Sequence, residues 1–197
     1  MIGTRDHGRG DARLKHLRYY AVAALVFLLD QLTKQIIDAY VPFKEQLSVI
    51  GQFFLITHVL NDGAAFSMLP GAQTLFIVIT IFVVIGIVWY IERNRRTGRP
   101  LLLTAFALVL GGALGNFIDR VLYGHVIDFL QFNFGSYTFP IFNVADVGIT
   151  VGVGLILLDA VLDMRRERAK AQGLPEGEEE GSNHDFASGT EADEPAR

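Results

Sequence analysis

Four apolar runs, each about as long as a bilayer is thick, constrain this chain more than any other feature. They cover approximately residues 19–37, 73–91, 101–122 and 139–163. A hydrocarbon core of ~30 Å is crossed by about 20 helical residues. Backbone N–H and C=O groups in lipid must be paired within their own segment, so each run is expected to be a transmembrane helix. Composition agrees: 51% of the 197 residues are hydrophobic and 19% charged, below the ~25% charged residues of typical soluble domains. Mean hydropathy is +0.35. A cleavable signal peptide is the rival reading of the first run, since basic residues precede it. The run continues through DQLTKQII and no small-x-small cleavage site follows, which favours a helix.

Basic residues orient the four helices. The segment 1–18 carries Arg5, Arg9, Arg13, Lys15 and Arg18, the second-to-third connection carries Arg93, Arg95, Arg96 and Arg99, and Arg165, Arg166, Arg168 and Lys170 follow the fourth run. All three fall on one side, and the opposite loops hold only Lys44. The positive-inside rule makes that basic side, and with it both termini, cytoplasmic. Three regions result: a basic cytoplasmic segment 1–18, a four-helix membrane domain 19–163, and a cytoplasmic tail 164–197. The tail is basic and then acidic, and its GLPEGEEEGSNHDFASGTEADEPAR composition favours disorder. The net charge of −4 therefore sums basic loops and an acidic tail. The absence of cysteine excludes disulfides, thiolate zinc sites and cysteine nucleophiles. No internal repeat is present.

Two outer segments remain, about 41–72 and 123–140. In the first, QLSVIGQFFLITHVLNDGAAFS has β-branched and aromatic runs broken by Gly51 and Asn-Asp-Gly, the pattern of a small sheet. The second holds GHVIDFLQFNF, apolar enough to lie along the membrane interface.

Charges in hydrocarbon are costly, so each intramembrane ionisable residue is a functional hypothesis. Once oriented, Asp30, Lys34, Asn116, Asp119, Arg120, Asn143 and Asp146 all lie toward the outer ends of their helices, with Asp128 in the loop between the last two. Asp146 is expected about 10 Å into the fourth helix at 1.5 Å per residue. Asp30 and Lys34, spaced i,i+4, share a face and can pair structurally. Gly111, Gly112 and Gly115 allow close helix approach, and packing alone accounts for them. Arg120 has two readings, snorkelling to the interface or serving the site. Two carboxylates brought close in a low-dielectric site keep one proton between them. The ionised one can take a proton from an attacking water while the other donates to the carbonyl oxygen. Asp128 and Asp146 are the candidates, against the structural alternatives of interface solvation for Asp128 and helix-start capping for Asp146. His58 and His125 are read as outer-loop surface residues. With no ligand spacing for a metal, no metal or other cofactor is expected, nor is a nucleic-acid partner.

Five blocks then occur in one order: DQLTK (30–34), NDGAAFS (61–67), GGALGNFIDR (111–120), GHVIDF (124–129) and FNVAD (142–146). Together they resemble the lipoprotein signal peptidase (signal peptidase II, prolipoprotein signal peptidase) family of bacterial inner membranes. The resemblance implies an all-α membrane protein of four transmembrane helices with a small outer-face β-cradle and a short outer interfacial helix. It implies an aspartic endopeptidase with Asp128 and Asp146 as the catalytic dyad. Asn61, Gly63, Asn116, Arg120 and Asn143 would line or support the substrate site, and Asp30, Lys34 and Asp119 would hold the framework. Its substrates would be diacylglyceryl-modified prolipoproteins, cut before the lipidated cysteine among membrane lipids, and globomycin would be the expected inhibitor.

Two other classes compete. A small proton-coupled transporter would spread polar groups through the membrane depth, whereas here they cluster at one side. A non-catalytic assembly subunit would not need two free carboxylates beside Asn and Arg.

Overall fold

The computed structural model describes residues 7–63, 72–94 and 99–171, with side chains described from residue 17 onward. The chain runs α1 (His7–Tyr40), β1 (Gln46–Ile50), β2 (Phe54–Asn61), α2 (Gln73–Asn94), α3 (Pro100–Tyr123), β3 (Val126–Phe134), β4 (Tyr137–Thr138) and α4 (Val144–Ala171). Four helical spans are long and apolar enough to cross a bilayer: Leu17–Tyr40, Gln73–Asn94, Pro100–Tyr123 and Val144–Ala171. Large apolar side chains such as Leu28, Phe82, Trp89 and Leu157 point outward, each more than half exposed. Contiguous exposed apolar surface of this extent marks a lipid-facing exterior. The protein is a multi-pass membrane protein.

Helix α3 is the hub. In its most apolar window 56% of residues are buried, against 11% for α2. Small residues make that position possible. A side chain on Gly111 would collide with α1 at Ala23 and Val26, one on Gly112 with α4 at Ala145 and Ile149, and one on Gly115 with the Asp30 carboxylate. Close approach on both flanks lets polar groups of α1, α3 and α4 meet across the contact. Below them, Tyr19 and Ala23 of α1, Ile87 and Ile91 of α2, and Leu103, Ala107 and Leu110 of α3 form an apolar core. At the end near Pro100, Arg99 pairs with Asp159 of α4. Helix α4 is basic in its last turn, with Arg168 and Lys170. Its residues from Ala160 onward belong to a second compact unit, and those up to Asp159 to the bundle.

The strands form one antiparallel sheet in the order β1-β2-β3-β4. It packs on the end of α1, where Ile37, Val41 and Phe129 are buried against Ile56, Ile127 and Leu130. Helix α3 ends at Gly124, whose left-handed φ of 79° and N–H bond to the Arg120 carbonyl turn the chain into β3.

The structure adds to or changes four expectations. Within the segment 123–140, read as lying along the interface, Val126–Phe134 and Tyr137–Thr138 are strands that hydrogen-bond into the sheet. The short outer interfacial helix implied by the resemblance is not found among the described residues, and 64–71 lies outside them. Helix α4 starts at Val144, about five residues later than its apolar run, because 139–143 stays extended and Phe142 bridges Leu130. His58 is not a surface residue. It is 6% exposed and its Nδ1 lies 2.8 Å from the Val41 carbonyl, because the β2 bulge between Ile56 and Val59 turns it toward the end of α1.

Candidate active site

The site grows from the start of α4. Asn143 precedes the helix, and its Oδ1 accepts the Asp146 N–H at 3.0 Å. In return an Asp146 carboxylate oxygen accepts the Asn143 N–H at 3.2 Å. This reciprocal arrangement is a capping box, which satisfies two orphan donors of the helix start. Asp146 is thus in the first turn, shallower than the depth expected from sequence. It does cap the helix, and it also lines a cavity. The cavity measures about 530 Å³ and is lined by Asn61, Asn116, Arg120, Asp128 and Asp146 on its polar side, with Phe139, Phe142, Val147 and Val151 among its apolar residues.

Asp128 reaches the same cavity from β3 and is 3% exposed. Its pairing with Val59 aligns β3 beside β2, whose last residue is Asn61. Asn61 Nδ2 donates to one Asp128 oxygen at 2.9 Å, and Asn143 Nδ2 donates to the other at 2.7 Å. Burial pushes the Asp128 carboxyl up to about 7, and the neighbouring Asp146 charge adds to the rise. The two amide hydrogen bonds and the Lys34 ammonium oppose it.

Behind the carboxylates lies a dehydrated ionic cluster. Lys34 Nζ is 2.8 Å from Asp30 and 2.7 Å from Asp119. It also donates to Asn116 Oδ1 at 2.9 Å, and Asn116 Nδ2 donates to Asp146 at 2.8 Å. Asp30 in turn accepts the Ala145 backbone N–H at 2.9 Å, tying α1 to the first turn of α4. Arg120 turns inward rather than snorkelling. One guanidinium nitrogen donates to the Gly63 carbonyl at 3.1 Å, another to the Asn116 carbonyl at 3.3 Å, and the group lies over the Phe76 ring. Its Nε is buried without a hydrogen-bond partner among the described residues. The Gly63 N–H bonds back to Asn61 Oδ1 at 2.9 Å, so Gly63 links Arg120 to the Asp128 donor.

All ten residues singled out from sequence therefore meet at one end of the bundle. Gln31 was missed. Its amide donates to Asp119 at 2.9 Å and to the Gly115 carbonyl at 3.3 Å, closing the cluster on its other side. Its position inside DQLTK, next to Asp30, was the available signal. Phe76 was indistinguishable from other apolar residues of α2. Among the described residues no three His, Asp or Glu side chains converge as a metal-holding group.

Fold and site define a class: a multi-pass membrane protein in which a strand and a helix start bring two carboxylates to a cavity flanked by apolar surface. Comparisons with known proteins narrow that class. The Signal peptidase (SPase) II family model matches residues 22–162. A lipoprotein signal peptidase of Brevibacillus brevis is 47% identical over 150 residues, 76% of this chain and 99% of that protein. One of Halalkalibacterium halodurans is 44% identical over 150 residues, 76% of this chain and 96% of that protein. A bacterial membrane enzyme structure solved by the in meso method at 2.3 Å superimposes with a TM-score of 0.70 at 39% identity, covering 75% of this chain and 89% of that one. The chain belongs to the signal peptidase II family. It is a membrane peptidase.

Proposed function

We propose that this protein is an aspartic endopeptidase that removes signal peptides from diacylglyceryl-modified prolipoproteins, cutting before the lipidated cysteine, with Asp128 and Asp146 as its catalytic pair. One observation carries the reading: two carboxylates from different elements, β3 and α4, line the same cavity, each held by amide N–H donors. The names of the relatives support the substrate class. Asp128 carries the shared proton, since burial favours its neutral form. Asp146, ionised, takes a proton from a water molecule as the water oxygen adds to the scissile carbonyl. Asp128 gives its proton to the carbonyl oxygen. The tetrahedral diol then collapses, the C–N bond breaks, and the amine leaves with a proton returned through the pair.

Cavity and substrate suit each other in polarity. Asn61 and Arg120 offer donors to peptide carbonyls, while Phe139, Phe142, Val147 and Val151 face the apolar part of the substrate. The basic segments argue for cytoplasmic termini in a bacterial inner membrane and a site at the outer leaflet. A lipidated cysteine anchored in that leaflet would present its scissile bond at that depth. Asp30, Lys34 and Asp119 hold the framework, and globomycin is the expected inhibitor.

Purified protein in detergent is expected to cleave a diacylglyceryl-modified prolipoprotein and to leave the unmodified precursor intact. Cleavage should cease on adding globomycin and persist with chelators. Loss of activity on chelation would replace the carboxylate pair with metal chemistry, and equal cutting of both precursors would overturn the substrate assignment.

A further inference from the structure

We propose that Lys34 is a positioning residue that fixes the donor direction of the amides feeding the carboxylate pair; this rests on the assignment of Asp128 and Asp146 above. An ammonium has three donors and no acceptor. Lys34 is almost wholly buried, its side chain 3% exposed, and two of its contacts go to Asp30 and Asp119. The third must meet an acceptor, and the atom present is Asn116 Oδ1 at 2.9 Å.

That one contact dictates the rest. With Oδ1 committed to Lys34, Asn116 presents Nδ2 to Asp146 at 2.8 Å. Asn116 Oδ1 also accepts Asn143 Nδ2 at 3.2 Å, so Asn143 must face it with its nitrogen. The same Nδ2 donates to Asp128 at 2.7 Å, leaving Asn143 Oδ1 for the Asp146 backbone N–H. An amide turned the other way would aim a carbonyl oxygen at a carboxylate and lose two bonds at once. A single buried cation thus makes both asparagines donors toward the pair. The charged groups facing this network are Asp30 and Lys34 from α1, Asp119 and Arg120 from α3, Asp128 from β3 and Asp146 from α4.

The test releases the amide orientation while holding the net charge of the cluster constant. Lys34→Met combined with Asp119→Asn removes one cation and one anion, so the net charge of the cluster is unchanged. Asn116 is then free to turn its oxygen toward Asp146, which favours the protonated carboxyl. Folding is checked by thermal melting. The expected result is a fall in kcat of about tenfold or more, part of the 10²–10⁴ typical of positioned acid–base groups. KM should change little, and the acidic limb of the pH–rate profile should move to higher pH. A structural role alone would lower the amplitude without moving the limb, and an unmoved limb overturns the proposal.

Asn116→Asp against Asn116→Leu gives a second test that keeps the Lys34 contact in a near-isosteric side chain. On acidification the new carboxyl can donate to Asp146, so the Asp variant should regain activity relative to the Leu variant as pH falls. A ratio flat with pH also overturns the proposal. Asp128→Asn and Asp146→Asn run in parallel: if either retains wild-type cleavage, the pair assignment has failed rather than the role of Lys34.

Discussion

Helix α3 has an ionic contact at each end, and the two are built differently. Near Pro100, Arg99 pairs with Asp159, and the arginine side chain remains 38% exposed. Near Tyr123, Lys34, Asp30 and Asp119 meet with side-chain exposures of 3%, 0% and 5%. The first contact joins the start of α3 to α4 and lies outside the cavity lining. The second continues through Asn116 and Asn143 to a cavity with two carboxylates. Fully dehydrated ion pairs gain little net stability over apolar packing, so stability alone gives no reason for such a cluster. Its geometry does: every partner of Lys34 either belongs to the scaffold or hands a donor on to the site.

This contrast sets a series of expected effects. Removing one partner from the dehydrated cluster, as in Asp30→Ala, leaves Lys34 paired with Asp119 alone and strips the buried Ala145 N–H of its acceptor, which should cost about 1–3 kcal/mol and lower the melting temperature in detergent. A small shift would mean that water reaches Lys34. Next in size is Asn143→Ala. It removes the capping box, worth about 1 kcal/mol, and the shortest donor to Asp128, so melting should fall modestly while cleavage falls by about tenfold or more. Equal, small effects on both would reduce Asn143 to a helix cap.

The pH dependence follows from Asp128. Its carboxyl is raised to about 7 by burial first and the Asp146 charge second. A raised carboxyl holds its proton below that pH and loses it above. Cleavage should therefore decline above about pH 7, by about tenfold per unit once Asp128 is mostly ionised. Activity rising from pH 7 to 9 would assign the proton elsewhere. The smallest effect belongs to the opposite end: Asp159→Asn should cost about 1 kcal/mol or less, as partly exposed pairs do, and leave cleavage within about twofold. A large loss of cleavage there would erase the distinction between the two ends.

The helices were legible in the sequence because span length and apolarity are local properties. The meeting of Asp30, Lys34, Asn116 and Asp119 was legible too, since orienting the runs by their basic flanks moves all of them to one side. Boundaries were less so. Phe139–Phe142 is as apolar as the helix it precedes, and only the Asn143–Asp146 box, a hydrogen-bond pattern, marks where α4 begins. In β3 apolar residues fall on both faces, so only Leu130–Phe134 shows the alternation that announces a strand and Val126–Phe129 does not. The burial of His58 depends on the end of α1 packing over β2, a tertiary fact absent from its neighbourhood in sequence. Gln31 stayed hidden because a lone glutamine between Asp30 and Leu32 carries no periodic signal.

The central claim is that Asp128 and Asp146 act as a unit. The direct measurement is the initial rate of cleavage of a diacylglyceryl-modified prolipoprotein by Asp128→Asn, Asp146→Asn and the double variant, with melting temperatures confirming the fold. Residues that act as a unit are non-additive, so all three should fall to the same floor, about 10³-fold or more below wild type. Near-wild-type cleavage by either single variant, or a double variant whose loss is the product of two partial ones, would contradict it.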